Sequence, residues 1–369
     1  MKSTAAAMLA ASLADIAACC PSEKLSDASR YVIVSDLRMG DCGKHDELAI
    51  VKKALFAILG SYYLPRGYTL VLNGDIEDLR GFWLKDILAA WPEMYALFDA
   101  FKEKGRLHKI VGERDLALLR LSSYPYGLSH GLRLEGEGNS MLVLHGHQAS
   151  PPFFGRAYLS DYMIHWLNSA KRAKAEDIDD DKHERFKAER RLYRASSRLG
   201  IVTIQGHTCR PLFESLTNRD SIRAEVERLL RAGDPSEGGT KVDELIGMYR
   251  REMRRSDARR SLPSGYGYDK TGLVEPRLFS SGRIVGSKDR GSRGLRMLEL
   301  GDGNLSAVRW SIGKRDSEAA SRANLVGSPL EGTSYQRIET RVAKISGLFD
   351  RVALFAPRRG ESNDAEADR

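Results

Sequence analysis

Asp36, Asp75, Glu113, His145 and His207 offer carboxylate oxygens and imidazole nitrogens, and each lies just beyond a short apolar run. Donors of these types hold divalent cations. The runs are Tyr31-Val32-Ile33-Val34, Thr69-Leu70-Val71-Leu72, 107–111, 141–144 and 201–204. They are followed by Ser35-Asp36-Leu37-Arg38, Asn73-Gly74-Asp75, Gly112-Glu113-Arg114-Asp115, His145-Gly146-His147 and Gly206-His207-Thr208-Cys209. Short apolar runs bounded by turn residues predict buried strands. In α/β sheets, chemistry gathers at the carboxyl ends of strands. Five strand ends carrying Asp, Asp, Glu, His and His would therefore converge. Two divalent cations about 3.5–4 Å apart can clamp a phosphoryl group and acidify a water, with one carboxylate bridging them.

The order of these fragments resembles the calcineurin-like metallophosphoesterases, whose pattern is Asp-x-His, Gly-Asp, Gly-Asn-His-Asp, a lone His, then Gly-His-x-His. The resemblance covers roughly residues 30–310. Its branch of nearest look is the UDP-2,3-diacylglucosamine hydrolases, which can carry Arg in the third motif, as Arg114 does here. It implies a four-layer α/β/β/α sandwich of two mixed sheets with helical insertions, and Asp75 as the bridging carboxylate.

Three positions depart from that pattern. Arg38 stands in place of a ligand His, Glu113 in place of a ligand Asn, and Cys209 in place of the last His. By the resemblance, one metal would draw on Asp36, Asp75 and positions 38 and 209. The other would draw on Asp75, Glu113, His145 and His207, a set that survives. Guanidinium stays protonated and accepts no hydrogen bond, so Arg38 cannot ligate. It can bring a fixed positive charge in place of a cation, pairing with Asp36 or Asp75, and contact a phosphate. Cys209 is either a soft ligand favouring zinc or a buried small hydrophobe. The implied cofactor is a divalent metal (Mn, Zn or Fe), one or two ions, with one the expectation and Asp36 and Cys209 the donors for a weaker second. Arg114 would stabilise phosphoryl oxygens, with Asp115 orienting it. His147 reads as a neighbour of the site or a structural histidine, and His45 as a surface loop residue.

The 369 residues suffice for one large α/β domain with insertions or for two domains, and a net charge of +8 suits anionic substrates. The cysteines, Cys19, Cys20, Cys42 and Cys209, make no disulfide framework, and no run is long enough to span a membrane. Ile16-Ala17-Ala18-Cys19 resembles a lipoprotein cleavage box, but Asp15 interrupts the apolar stretch before it. The alternative is an amphipathic helix with Met8, Leu9 and Ile16 facing inward, ended by Pro21. The expectation is a cytoplasmic protein.

The elements around the motifs divide into an N-terminal helical segment 1–29, a domain 30–312 with insertions about 151–200 and 213–262, and an extension 313–369. Residues 46–60 predict a helix with Leu48, Val51, Leu55 and Leu59 on one face; 82–104 predict one or two, with Pro92 in a first turn. Gly136-Glu137-Gly138 predicts a hairpin turn, as does Gly301-Asp302-Gly303-Asn304 between strands. In 151–200 a helical pair is expected, with Leu159, Met163, Trp166 and Leu167 on one face, and Ala188, Leu192, Ala195 and Leu199 on the other. The two faces would pack together or form a groove for an acyl chain. A helical stretch 219–258 carries Arg250, Arg251, Arg254 and Arg255 into Arg259 and Arg260, a solvated face or a nucleic-acid contact. Arg283, Lys288, Arg290 and Arg293 could face the site, and 336–352 predict a helix before a polar tail.

Two function classes follow. One is a phosphoric-ester hydrolase with an altered, single-metal site, acting on a phosphorylated small molecule, lipid or nucleotide. The other is a pseudoenzyme that binds a phosphorylated ligand or a protein partner.

Overall fold

The structure, a computed structural model, describes residues 2–150, 153–155, 182–213, 276–285, 294–313 and 327–354. In chain order the elements begin with α1 (Lys2–Cys19), β1 (Ser22–Lys24), β2 (Tyr31–Val34), α2 (Lys52–Ile58) and β3 (Thr69–Asn73). They continue with α3 (Leu84–Ala90), α4 (Pro92–Glu103), β4 (Leu107–Ile110), β5 (Leu128–Ser129), β6 (Leu132–Glu135) and β7 (Ser140–Val143). Then come α5 (Lys182–Leu199), β8 (Val202–Gln205), β9 (Leu278–Ser280), β10 (Leu295–Gly301) and β11 (Asn304–Ser311). The last are β12 (Gly327–Pro329), β13 (Gln336–Lys344) and α6 (Ile345–Leu354).

The strands form two mixed sheets. One has the order β1-β6-β7-β8-β9 and the other β12-β13-β11-β10-β2-β3-β4-β5. Within the larger sheet β2, β3, β4 and β5 run parallel, so the ends of β2, β3 and β4 open at one edge. In the smaller sheet β7, β8 and β9 are parallel.

Period-two alternation assigns each strand residue to a layer. Ile33, Val71 and Ile110 meet Leu134, Met141, Val143, Val202, Ile204 and Phe279 between the sheets. Val32, Val34, Leu70 and Leu72 face the other way, onto Leu55 and Ile58 of α2 and Met94, Phe98 and Phe101 of α4. Leu142 and Leu278 on the far side of the smaller sheet pack on Leu9, Leu13 and Ile16 of α1 and Ala188, Leu192 and Ala195 of α5. The layers are therefore α/β/β/α, as expected. Each large apolar side chain fully buried in them is worth about 1.5–3 kcal/mol.

Several expectations change in detail. In α1 the inward stripe is Leu9, Leu13 and Ile16, spaced by four and three, while Met8 is 51% exposed. β1 joins the smaller sheet beside β6, so the N-terminal segment is built into the fold. Residues 46–60 begin with a 3-10 turn at Leu48–Val51, and Asp46 accepts the Leu48 and Ala49 amides before α2 starts. Residues 336–344 are not helix but the strand β13, paired with β11; helix begins only at Ile345. The apolar face of α5 is taken by α1 and the smaller sheet. Both predicted hairpins form, β6–β7 and β10–β11.

Leu159 to Leu167, the stretch 219–258 with its arginines, Arg259, Arg260, Lys288, Arg290, Arg293 and the tail beyond 354 lie outside the described residues.

Candidate metal centre

Five turns leave the strand ends and bring their donors together. Asp36 follows β2, Asp75 follows β3, Glu113 follows β4, His145 follows β7 and His207 follows β8; all five are buried. The backbone makes this convergence possible at a cost. Asp36, Arg38, Asp75, His207 and Cys209 all hold positive φ, between 42° and 54°. Non-glycine residues seldom adopt that conformation, and such strain gathers at functional sites. Gly74 and Gly112 allow the turns to close: a Cβ on Gly112 would overlap Asp75 Oδ1, and one on Gly74 would overlap the His145 ring. The turns are stitched by backbone bonds, Asp36 N to Gly74 O at 3.1 Å and Arg38 N to Asp75 O at 2.9 Å.

Two overlapping donor groups result, Glu113 with His145 and His207, and Asp36 with Asp75 and His145. His145 Nε2 lies 3.1 Å from Glu113 Oε2 and 3.4 Å from Asp75 Oδ1. His207 Nδ1 lies 2.8 Å from the same Glu113 oxygen. Each imidazole is oriented from behind. His145 Nδ1 donates to Asn73 O at 2.9 Å, and His207 Nε2 is 2.9 Å from Ser150 Oγ. Such an arrangement fixes which ring nitrogen faces a metal. Asp75 Oδ1 accepts the Arg114 amide at 2.8 Å, while its Oδ2 is buried without a hydrogen-bond donor.

The electrostatics follow from burial and crowding. Burial and Glu113 push the Asp75 carboxyl up, but His145 and Arg114 win and hold it at about 2. Glu113 is held well below the usual range, since His207 and His145 outweigh its burial. His145 is raised well above its ordinary value, because Asp75, Glu113 and Asp36 overcome desolvation. Asp36 is raised by burial against the pull of His145 and Arg38. Buried His147 is driven well below its ordinary value, first by desolvation and then by His145. It packs edge-on to Phe153, with ring centroids 5.0 Å apart, and belongs to neither donor group.

Arg38 and Cys209 occupy one corner. Arg38 Nη2 is 3.3 Å from Cys209 Sγ and 3.7 Å from Asp36 Oδ1, and the Cys209 thiol donates to Asp36 Oδ1 at 3.3 Å. The guanidinium pairs with Asp36, one of the two partners expected for it.

Arg114 is oriented differently from the expectation. Its Nη1 donates to Asp78 Oδ1 at 2.8 Å, and its Nε is 3.7 Å from Asp75 Oδ2. Asp115 turns away from it, accepting the Gly112 amide at 2.6 Å and the Ile76 amide at 2.9 Å. Burial pushes Asp115 up to about 6 against the pull of Lys109. The Arg283 amide binds Cys209 O, and its Nη2 pairs with Glu47 Oε2 at 2.8 Å. His45 is exposed. Asp78 and Ser150 are the contributors that sequence reasoning missed. Asp78 could have been suspected from the acidic run Asp75-Ile76-Glu77-Asp78, but nothing marks Ser150.

No protein-family model and no curated protein sequence matches the chain. Among solved structures, a single mutant of Vps29 from Entamoeba histolytica matches at 10% identity with a TM-score of 0.30, covering 85% of this chain and 99% of that one. A superposition that loose carries no argument, and the α/β class rests on the sheets and layers above. The described helices include none long and apolar enough to cross a membrane.

Proposed function

We propose that the chain is a metal-dependent phosphoric-ester hydrolase with one divalent ion at the strand ends, held by Asp75, Glu113, His145 and His207. The observation that carries this reading is the pair of imidazoles aimed at one Glu113 oxygen, each fixed from behind, with Asp75 Oδ1 at 3.4 Å from His145 Nε2. Nitrogen and carboxylate donors of this mix suit Zn, Mn or Fe. A bound ion supplies Lewis-acid polarisation of a phosphoryl oxygen and acidifies water.

The chain's own residues do the rest. Arg114, steadied by Asp78, binds phosphoryl oxygens and offsets charge that builds on them. Arg38 supplies a fixed positive charge beside Asp36, where the resembled family places another ion. The third motif with Arg114 keeps the likeness to the UDP-2,3-diacylglucosamine hydrolases, which makes phosphorylated lipids the first substrates to assay after a generic diester. The buried stripe of α1 supports reading residues 1–29 as packed on the domain.

A second reading has its own observation. Arg38 and the Cys209 thiol both engage Asp36, closing that corner to a cation. This favours a pseudoenzyme that binds a phosphorylated ligand. Elemental analysis beside turnover of bis-p-nitrophenyl phosphate separates the two. About one metal per chain with turnover that vanishes in His145→Ala supports the hydrolase. Metal-free, inactive protein that still binds phosphate supports the pseudoenzyme.

A further inference from the structure

Lys109 and Glu77 are fully buried, yet neither belongs to the donor set. Lys109 lies on β4, and its ammonium donates to Glu77 Oε2 at 2.5 Å and to Asp115 Oδ2 at 3.5 Å. Glu77 Oε1 accepts the hydroxyls of Tyr95 at 3.0 Å and Tyr124 at 2.6 Å. Asp115 then grips two backbones at once, the Ile76 amide on one oxygen and the Gly112 amide on the other. Ile76 directly follows Asp75, and Gly112 directly precedes Glu113. One carboxylate thus ties together the turns that carry both acidic donors, and one ammonium holds that carboxylate. A buried ion network is a poor source of stability compared with apolar packing of the same volume, and its best-attested use is to fix an arrangement.

We propose that Lys109 is a positioning residue that sets the spacing of Asp75 and Glu113, so that the metal centre exists before the ion arrives. The proposal rests on the metal-centre reading for its purpose, although the tying of the two turns does not need an ion. Without Lys109, Glu77 and Asp115 face each other as buried carboxylates with no cation between them. The turns then relax apart while the sheets stay intact. Groups that orient metal donors from behind contribute about 10–100-fold in metal affinity.

The test uses the full chain as Lys109→Met and as Lys109→Met/Glu77→Gln, the second removing the Lys109 and Glu77 charges together so that two buried carboxylates do not face each other and Asp115 is left with its two backbone amides. Thermal melts establish that each variant folds. Amide hydrogen exchange on metal-free protein is read at Ile76 and Gly112 against the β10–β11 amides, and Co2+ is titrated by its visible absorption. The expected result is exchange at Ile76 and Gly112 at least tenfold faster with β10–β11 unchanged, and Co2+ bound about 10–100-fold more weakly with altered visible bands. A folded double variant with wild-type exchange at both turns and a wild-type Co2+ spectrum overturns the proposal, as does a lowered melting temperature without either change. If the natural chain takes up no Co2+, the metal-centre reading fails, and the amide exchange alone decides whether Lys109 positions the turns.

Discussion

Arg38 Nη2 stands 3.3 Å from Cys209 Sγ, and both residues contact the same oxygen of Asp36. The two side chains that depart most from the resembled pattern are therefore partners. A guanidinium beside a thiol fills with one permanent charge the space that two histidines would offer to a cation.

Restoring histidine at both positions should reopen that corner. The double variant Arg38→His/Cys209→His is expected to take up about one more ion per chain than the natural protein and to hydrolyse bis-p-nitrophenyl phosphate faster. Elemental analysis of the purified variant reads the first effect directly. Unchanged metal content would mean that the corner is closed by more than these two side chains.

Glu113 receives both imidazoles on one oxygen, so Glu113→Gln should weaken metal binding at least tenfold, or about 1.4 kcal/mol. Calorimetric titration with Zn2+ or Mn2+ gives the number. The neutral amide that the resembled family uses at this position would then prove unable to replace the carboxylate here.

Asp78 belongs to neither metal-donor group and holds Arg114. Asp78→Asn should leave metal content unchanged and lower diester kcat by about tenfold, since misplacing a group around the reacting centre can cost up to about 100-fold. Steady-state kinetics on metal-replete protein is the check, and loss of metal in this variant would contradict the assignment.

Glu23 on β1 bridges the sheets, accepting Tyr31 Oη at 2.5 Å and lying 2.6 Å from His108 Nε2. The His108 bond holds its carboxyl below the ordinary 4.5, despite opposing burial. A depressed carboxyl stabilises the fold above its unfolded value, and the contribution fades as pH falls through the folded one. Glu23→Gln should therefore cost stability at neutral pH and flatten the decline below about pH 4.5. Urea melts at pH 7 and pH 4 measure both.

Leu13 is fully buried between α1 and the smaller sheet. Leu13→Ala should destabilise by about 2–5 kcal/mol, a clear drop in the thermal midpoint. A loss under 1 kcal/mol would show that α1 is only loosely seated.

The donor residues could be read in the sequence because each follows directly on an apolar run, and strand ends are where parallel sheets converge. The unbroken apolar run Tyr31-Val32-Ile33-Val34 likewise announced a buried strand, and both of its faces are covered. β13 could not be read that way. Only Ile338 and Ala343 are buried along it, so no period-two signal exists, while Ile338, Val342 and Ile345 mimic helical spacing. Lys109 was equally silent. A lysine in Leu107-His108-Lys109-Ile110 reads as a solvent-facing residue, and only the fold brings Glu77 and Asp115 to it. The role expected for Asp115 failed for a related reason. Adjacency to Arg114 suggested a partner, but the turn sends the carboxylate to backbone amides instead.

The left-handed backbone at Asp36, Arg38, Asp75, His207 and Cys209 has a historical consequence. The shape of the turns is held by main-chain bonds, close glycine contacts and the carboxylates of Asp115 and Asp75. Arg38 and Cys209 sit in the same conformation as the aspartates and the histidine around them, at φ 51° and 54°. Such a socket can exchange what it presents without being rebuilt, so a lineage using it could drift from gripping ions to gripping anions, and back, one side chain at a time.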